Sequence, residues 1–219
     1  MSSCKYCEYS AECKKNFCMQ HFKKDQLYKY TMLTPVQCKH LPLHPDADGT
    51  DLAEFKQLKS IEEDIVNFVE SGKNLYIHST ITGNGKSAWS IRMIQAYINK
   101  IWFKSLVECR ALFINIPRFF LSLKDSLSND NEYISSIKDN ILKADIVVWD
   151  EIGTKALTEF EHEHLLSLIN SRLDLGKSNI YTSNLNPSEL REKIGDRLYS
   201  RVVNNSFDIE LHGKDKRGL

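Results

Sequence analysis

An α/β fold, a parallel sheet with helices on both faces, is what this 219-residue sequence predicts, and three observations carry that reading. From Lys73 onward short apolar runs alternate with stretches of helical periodicity. The first run leads into a glycine-bearing loop that opens a helix, and a later one delivers two adjacent carboxylates. Parallel strands need crossover connections of a dozen or more residues, and the helical stretches between the runs supply them.

Taken in order, the chain opens on a lysine-rich segment holding five of its six cysteines. Pro35, Pro42 and Pro45 then run into Asp46-Ala47-Asp48-Gly49, the composition of a linker, which divides residues 1–45 from 46–219. Leu52, Phe55, Leu58, Ile61, Ile65 and Phe68 recur at helical spacing and stop at Gly72, predicting one long helix. A strand over Asn74–His78 follows, then a helix over about 86–100 and a strand at Ala111–Ile116. Helices on either side of Ser128, a strand at Asp145–Trp149 and a helix over about 158–175 come next. A strand at Ser178–Thr182, a helical stretch from Pro187 and a last strand at Phe207–Leu211 complete the pattern.

Composition narrows the class. Hydrophobic residues at 42% and charged residues at 26% describe a globular chain. No run reaches the 18 or more apolar residues of a membrane span, and Met1–Lys15 is polar, so the chain is expected to be cytoplasmic and free of membrane. Lys+Arg and Asp+Glu both total 29, which excludes an all-over basic coat for nucleic acid.

The loop is Ser79-Thr80-Ile81-Thr82-Gly83-Asn84-Gly85-Lys86-Ser87. Between a strand and a helix, the backbone N–H groups of Gly83, Asn84 and Gly85 are expected to cradle phosphates. Lys86 would meet the β and γ oxygens, and the Ser87 hydroxyl a Mg²⁺ ion. Thr80 stands where the G-x-x-x-x-G-K-[ST] pattern has its first glycine. Ile146-Val147-Val148-Trp149 ends in Asp150-Glu151, a buried strand delivering one carboxylate to a metal shell and a second to orient and activate water. Downstream, Asn184 closes another strand within reach of a γ-phosphate or the attacking water. Arg197 and Arg201, four apart on one helix face, are candidates to complete the site of a neighbouring subunit. His162-Glu163-His164 lacks the second histidine spacing of a metalloprotease helix, since Leu166 stands there.

Lys86-Ser87, Asp150-Glu151-Ile152-Gly153, Thr182-Ser183-Asn184-Leu185 and Gly195-Asp196-Arg197-Leu198-Tyr199-Ser200-Arg201 occur in an order that resembles the AAA+ ATPases of the DnaC/DnaI helicase-loader family, over about residues 52–217. The resemblance implies a P-loop core of the additional-strand, catalytic-glutamate division without a carboxy-terminal helical lid. It implies Glu151 as the catalytic base, Asn184 as the sensor residue, and Arg201, with Arg197 second, as the arginine acting on a neighbour. It also implies ATP and Mg²⁺, self-association, single-stranded DNA and a DnaB-like hexameric replicative helicase as partners. Two rivals share parts of this reading: an IstB-like transposition helper ATPase, and an adaptor that binds nucleotide without hydrolysing it.

Cys4, Cys7, Cys13 and Cys18 are the first-choice ligands of a Zn²⁺ ion, with an iron–sulfur cluster or unmetallated thiols as the alternatives, because clustered thiols in a cytosolic chain favour metal over disulfides. His21, or Cys38 with His40, are alternative ligands. So short a segment buries little apolar surface, so metal binding would supply its folding energy, on the order of 10 kcal/mol. Lys14, Lys15, Lys23, Lys24 and Lys29 interleave with Phe17, Phe22, Tyr28 and Tyr30, a pattern that suits a partner surface, single-stranded DNA or a solvated rim.

Overall fold

The computed structural model describes residues 19–39, 42–126 and 132–216. Five strands form the sheet: β1 (Asn74–His78), β2 (Ala111–Asn115), β3 (Ile146–Asp150), β4 (Ser178–Ser183) and β5 (Ser206–Glu210). All neighbours are parallel and the spatial order is β2-β3-β4-β1-β5. The expected αβ alternation is therefore present, with the strand bearing the two carboxylates separated from β1 by β4.

Eight helices are described: α1 (Met19–Tyr30), α2 (Leu52–Glu63), α3 (Ile65–Glu70), α4 (Lys86–Ile101), α5 (Ile116–Ser126), α6 (Glu132–Lys143), α7 (Glu159–Asp174) and α8 (Pro187–Val202). β1, β2 and β3 are buried along nearly their whole length and so read as short apolar runs, whereas the edge strand β5 is largely exposed. Leu75, Ile77, Val148 and Ile180 face Leu58, Ile65, Met93, Ile94 and Ile98 of α2, α3 and α4. On the other face Tyr76, Val147, Trp149 and Tyr181 meet Phe120, Ile141, Leu165, Ile169, Leu190 and Leu198 of α5 to α8.

Local chemistry sets several boundaries. Thr158 and Glu161 form a reciprocal capping box that starts α7; Asn186 and Glu189, with Pro187 in the first turn, do the same for α8. The helix expected over 52–71 is instead two, broken at Asp64, whose φ and ψ of −110° and 26° leave the helical region. The turns before β1 and β4 meet: a Cβ at Gly72 would lie 2.5 Å from the Gly176 carbonyl oxygen, and φ there is +63°. Only glycine fits that approach.

The amino-terminal residues pack onto the same body. Leu27 and Leu33 join the cluster of α4 and β2. The Thr31 carbonyl accepts a 2.8 Å hydrogen bond from the Phe113 N–H on β2, an edge strand of the sheet. Gln95 Nε2 on α4 donates to the carbonyls of Gln37 and Lys39, at 2.6 and 3.0 Å. The Cys38 thiol sits half-buried near the Leu33 carbonyl, and burial raises its pKa. Cys4, Cys7, Cys13, Cys18 and His40 lie outside the described residues.

At the opposite edge of the strands from the loop, Arg172 of α7 is fully buried. Its guanidinium donates to Asn179 Oδ1 (2.7 Å) and to the carbonyls of Ile141 (2.5 Å), Ala144 (2.8 Å) and Ser178 (2.5 Å). Asn179 also accepts from Trp149 Nε1 and donates to Asn74 Oδ1, which links β1, β3 and β4. Burial lowers the arginine pKa to about 10, so the group stays charged at neutral pH. Arg172→Met keeps the volume but strands these carbonyls; we expect a loss of about 3 kcal/mol or more in denaturant unfolding. A loss below about 1 kcal/mol would show the network to be dispensable.

Candidate functional site

The loop between β1 and α4 turns on two glycines in the left-handed region, Gly83 (φ +76°) and Gly85 (φ +105°), the latter capping α4. Ser79 braces its entry: the hydroxyl accepts from the Ile81 N–H (3.1 Å) and from Asn84 Nδ2 (2.7 Å). These contacts order the turn where Thr80 replaces the patterned glycine. Lys86 is folded back, with Nζ donating to the Ile81 carbonyl at 2.7 Å and to Asn84 Oδ1 at 3.1 Å.

Gly83, Gly85, Lys86 and Ser87 line a cleft of about 360 Å³ with Glu151 and Asn184. These six expected residues therefore gather at the carboxyl ends of the strands, where open α/β sheets bind ligands. The Asp150 carboxylate, only 5% exposed, is the hub. Its Oδ1 accepts from Ser87 Oγ and from Thr182 Oγ1, both at 2.7 Å. Its Oδ2 accepts from Asn115 Nδ2 at 3.3 Å. A hydroxyl and a carboxylate converging from α4 and β3 form a hard oxygen donor pair of the kind Mg²⁺ selects.

Glu151 has φ +64°, a left-handed conformation uncommon for a residue with a side chain. Three contacts hold it there: its N–H donates to Thr182 Oγ1 at 3.0 Å, the Ile152 N–H to the Thr182 carbonyl at 2.9 Å, and Asn115 Nδ2 to Glu151 Oε2 at 3.1 Å. Gly153 follows with φ +81°. A Cβ there would lie 2.6 Å from Leu190 Cδ1 and 3.1 Å from Leu185 Cδ1, so a larger residue would have to displace these side chains as well as adopt a left-handed backbone.

Asn115 and Thr182 were not among the residues expected at the site. Register is the signal that finds them: Asn115 pairs with Asp150 across β2 and β3, and Thr182 sits on the β4 strand next to β3. Arg197 and Arg201 do not line the cleft. Both are exposed on α8, and Arg201 Nε donates to Asn170 Oδ1 at 2.8 Å. Gly195 (φ +75°, ψ 160°) breaks α8 just before them. His162 and His164 meet backbone carbonyls of Ile194 and Phe160 instead of each other. A larger cavity of about 640 Å³ lies between α1 and α4, lined by Tyr28, Arg92 and Gln95 among others, and holds none of the expected catalytic or phosphate-binding residues.

A family model described as IstB-like ATP binding protein matches residues 39–213. The fold is similar to that of the DnaC helicase loader, with a TM-score of 0.62 and 17% identity, over 77% of this chain and 93% of that one. It is similar to DnaI at a TM-score of 0.63 and 15% identity, over 85% and 95% of the two chains. AMPPCP-bound DnaA from Aquifex aeolicus aligns at a TM-score of 0.59 and 18% identity, over 82% of this chain and 51% of that one. No curated protein matches the sequence. No helix among the described residues is long and apolar enough to cross a membrane.

Proposed function

The chain belongs to the family of IstB-like ATP binding proteins, an IstB/DnaC-like AAA+ domain, and we propose that it hydrolyses ATP to load a hexameric, DnaB-like replicative helicase onto single-stranded DNA. The observation that carries the hydrolytic part is that Ser87 and Glu151 line one cleft with the phosphate loop, with the buried Asp150 carboxylate hydrogen-bonded to the Ser87 hydroxyl beside it. Fold likeness to the DnaC helicase loader and DnaI supports the loader role.

In this reading Lys86 exchanges its two loop acceptors for phosphate oxygens when ATP enters. Gly83, Asn84 and Gly85 present backbone donors. Ser87 and Asp150 would hold Mg²⁺, which would supply charge neutralisation at the phosphate oxygens. Glu151, aimed by Asn115 and by its constrained backbone, takes a proton from the attacking water. Asn184 orients that water or the γ-phosphate. Among the cleft-lining residues Lys86 is the one cation, so charge building up in the transition state needs a second from elsewhere. Arg201, exposed on α8 and thus presentable to another copy, is the first candidate; Arg197 is the second.

The amino-terminal cysteines Cys4, Cys7, Cys13 and Cys18 are proposed to hold Zn²⁺ in a small helicase-contacting module. The IstB-like family name favours a second reading, a transposition helper whose partner is a transposase. The cysteine-rich segment supports the loader over that rival. Co-purification with either partner separates them: retention of a transposase instead of a replicative helicase would overturn the loader role.

Lys86→Ala should abolish Mg²⁺-dependent nucleotide binding without unfolding the protein, since the phosphates lose their loop cation. Glu151→Gln should bind ATP normally and fail to turn it over, because the amide cannot accept the proton. Normal turnover by the glutamine variant would remove Glu151 from the mechanism, and would leave the non-hydrolysing rival excluded as well.

Arg201→Ala should leave ATP affinity nearly unchanged while lowering assembly-dependent turnover by up to about 10³-fold. Mixing this variant with Lys86→Ala restores an intact pocket facing an intact arginine, so part of the activity should return. A mixture that co-assembles and stays inactive would rule out action in trans by Arg201.

The purified protein should contain about one equivalent of zinc by elemental analysis. Cys4→Ser with Cys7→Ser should release it and weaken helicase binding while nucleotide binding persists. Iron, or no metal, in the unaltered protein would overturn the zinc assignment.

A further inference from the structure

The segment after β5 does not leave the fold; it turns back along the phosphate loop. The Leu211 N–H donates to the His78 carbonyl at 2.8 Å, extending the pairing of β5 with β1. Asn84 Nδ2, from within the loop, donates to the Leu211 carbonyl at 3.0 Å. Five residues later the Lys216 N–H donates to the carbonyl of Gly83 at 2.9 Å. Two loop residues are thus bonded to one short strand of chain.

That chain is fastened on its other side to the turn before α2. The Lys214 N–H donates to Asp46 Oδ2 (2.8 Å), and its ammonium pairs with Asp48 (2.5 Å). Lys216 Nζ contacts Asp51 Oδ2 at 2.6 Å, Asp46 Oδ1 at 3.2 Å and the His44 carbonyl at 2.9 Å. His212 Nδ1 meets Glu54, whose carboxylate raises the histidine pKa. A Cβ on Gly213 would fall 2.8 Å from Asp51 Oδ2, so the two segments touch without room for a methyl group. Exposed ion pairs contribute little singly. Here the pairs accompany backbone hydrogen bonds and the half-buried Lys216–Asp51 contact, whose aspartate side chain is only 8% exposed.

We propose that residues 211–216 are a strap that sets the phosphate loop, so that docking of the strap on the Asp46–Asp51 turn and nucleotide binding favour each other. The reason lies in one peptide plane. The C=O of Gly83 and the N–H of Asn84 belong to the same planar trans unit and point in opposite directions. Fixing the carbonyl with Lys216 fixes the direction of the Asn84 N–H, one of the expected phosphate donors. The second bond, Asn84 Nδ2 to Leu211, holds the side chain whose Oδ1 shares Lys86 in the closed loop. Release of the strap frees both. The inference rests on the nucleotide-binding reading above.

Binding of a fluorescent ATP analogue with Mg²⁺ to the full chain tests it. Gly213→Val wedges the strap off Asp51 without changing charge, and Lys214→Glu repels it from Asp48; each should weaken binding about tenfold, a typical coupling between linked sites. The double variant Lys214→Glu with Asp48→Lys should recover most of the affinity. Saturating nucleotide should slow amide hydrogen exchange over residues 212–216 in the unaltered protein, the reciprocal effect that linkage requires. If the unaltered protein binds nucleotide through Lys86 but the folded strap variants bind equally well, or exchange in the strap ignores nucleotide, the strap proposal falls alone. If the unaltered protein binds no nucleotide, both readings fall.

Discussion

The functional end of the molecule hangs on one carboxylate. Asp150 is buried, and a buried carboxylate needs donors on both oxygens. It finds them on three different elements: Ser87 at the start of α4, Thr182 on β4 and Asn115 at the end of β2. The same interaction therefore locates the loop relative to the sheet and holds both neighbouring strands in register at their carboxyl ends. Glu151 inherits its position from this hub, since Thr182 and Asn115 each contact it as well.

A second buried group works at the other end of the strands. Arg172 gathers carbonyls from α6, from the turn between α6 and β3, and from the start of β4, and Asn179 extends its reach to Trp149 and Asn74. Neutral oxygens accept these hydrogen bonds, and burial lowers the arginine pKa while the nearby Tyr181 and Asp145 act against that shift. The strands are thus pinned at both ends by polar groups, while the middle of the sheet packs largely through apolar side chains. That division leaves the carboxyl ends free to carry chemistry without loosening the core.

How much of this was legible in the sequence follows from which interactions are local. The phosphate loop, the acidic pair and the capped starts of α7 and α8 are written in consecutive residues, so periodicity and spacing found them. Asn115 and Thr182 were missed because their roles come from strand order, which places β2 and β4 on either side of β3. The helix break at Asp64 interrupts a run of well-spaced apolar residues that, by pattern alone, reads as unbroken. The strap joins Asp46–Asp51 to Lys214 and Lys216, more than 160 residues away, and no motif announces such a pairing. Arg201 was named from the order of motifs; its exposed position on α8, beyond the Gly195 break, follows from tertiary packing.

The Thr31 bond to β2 has a practical side. Proline content suggests cutting the chain near residue 45 to obtain the nucleotide-binding part by itself. Such a fragment would begin after Leu27, Leu33 and Thr31, the residues that cover Phe113 and accept its N–H. An uncovered parallel edge strand flanked by bared apolar side chains is a template for pairing with another molecule. Poor solubility of a fragment trimmed there would report a lost border of the sheet, and would say nothing against the stability of the remaining core.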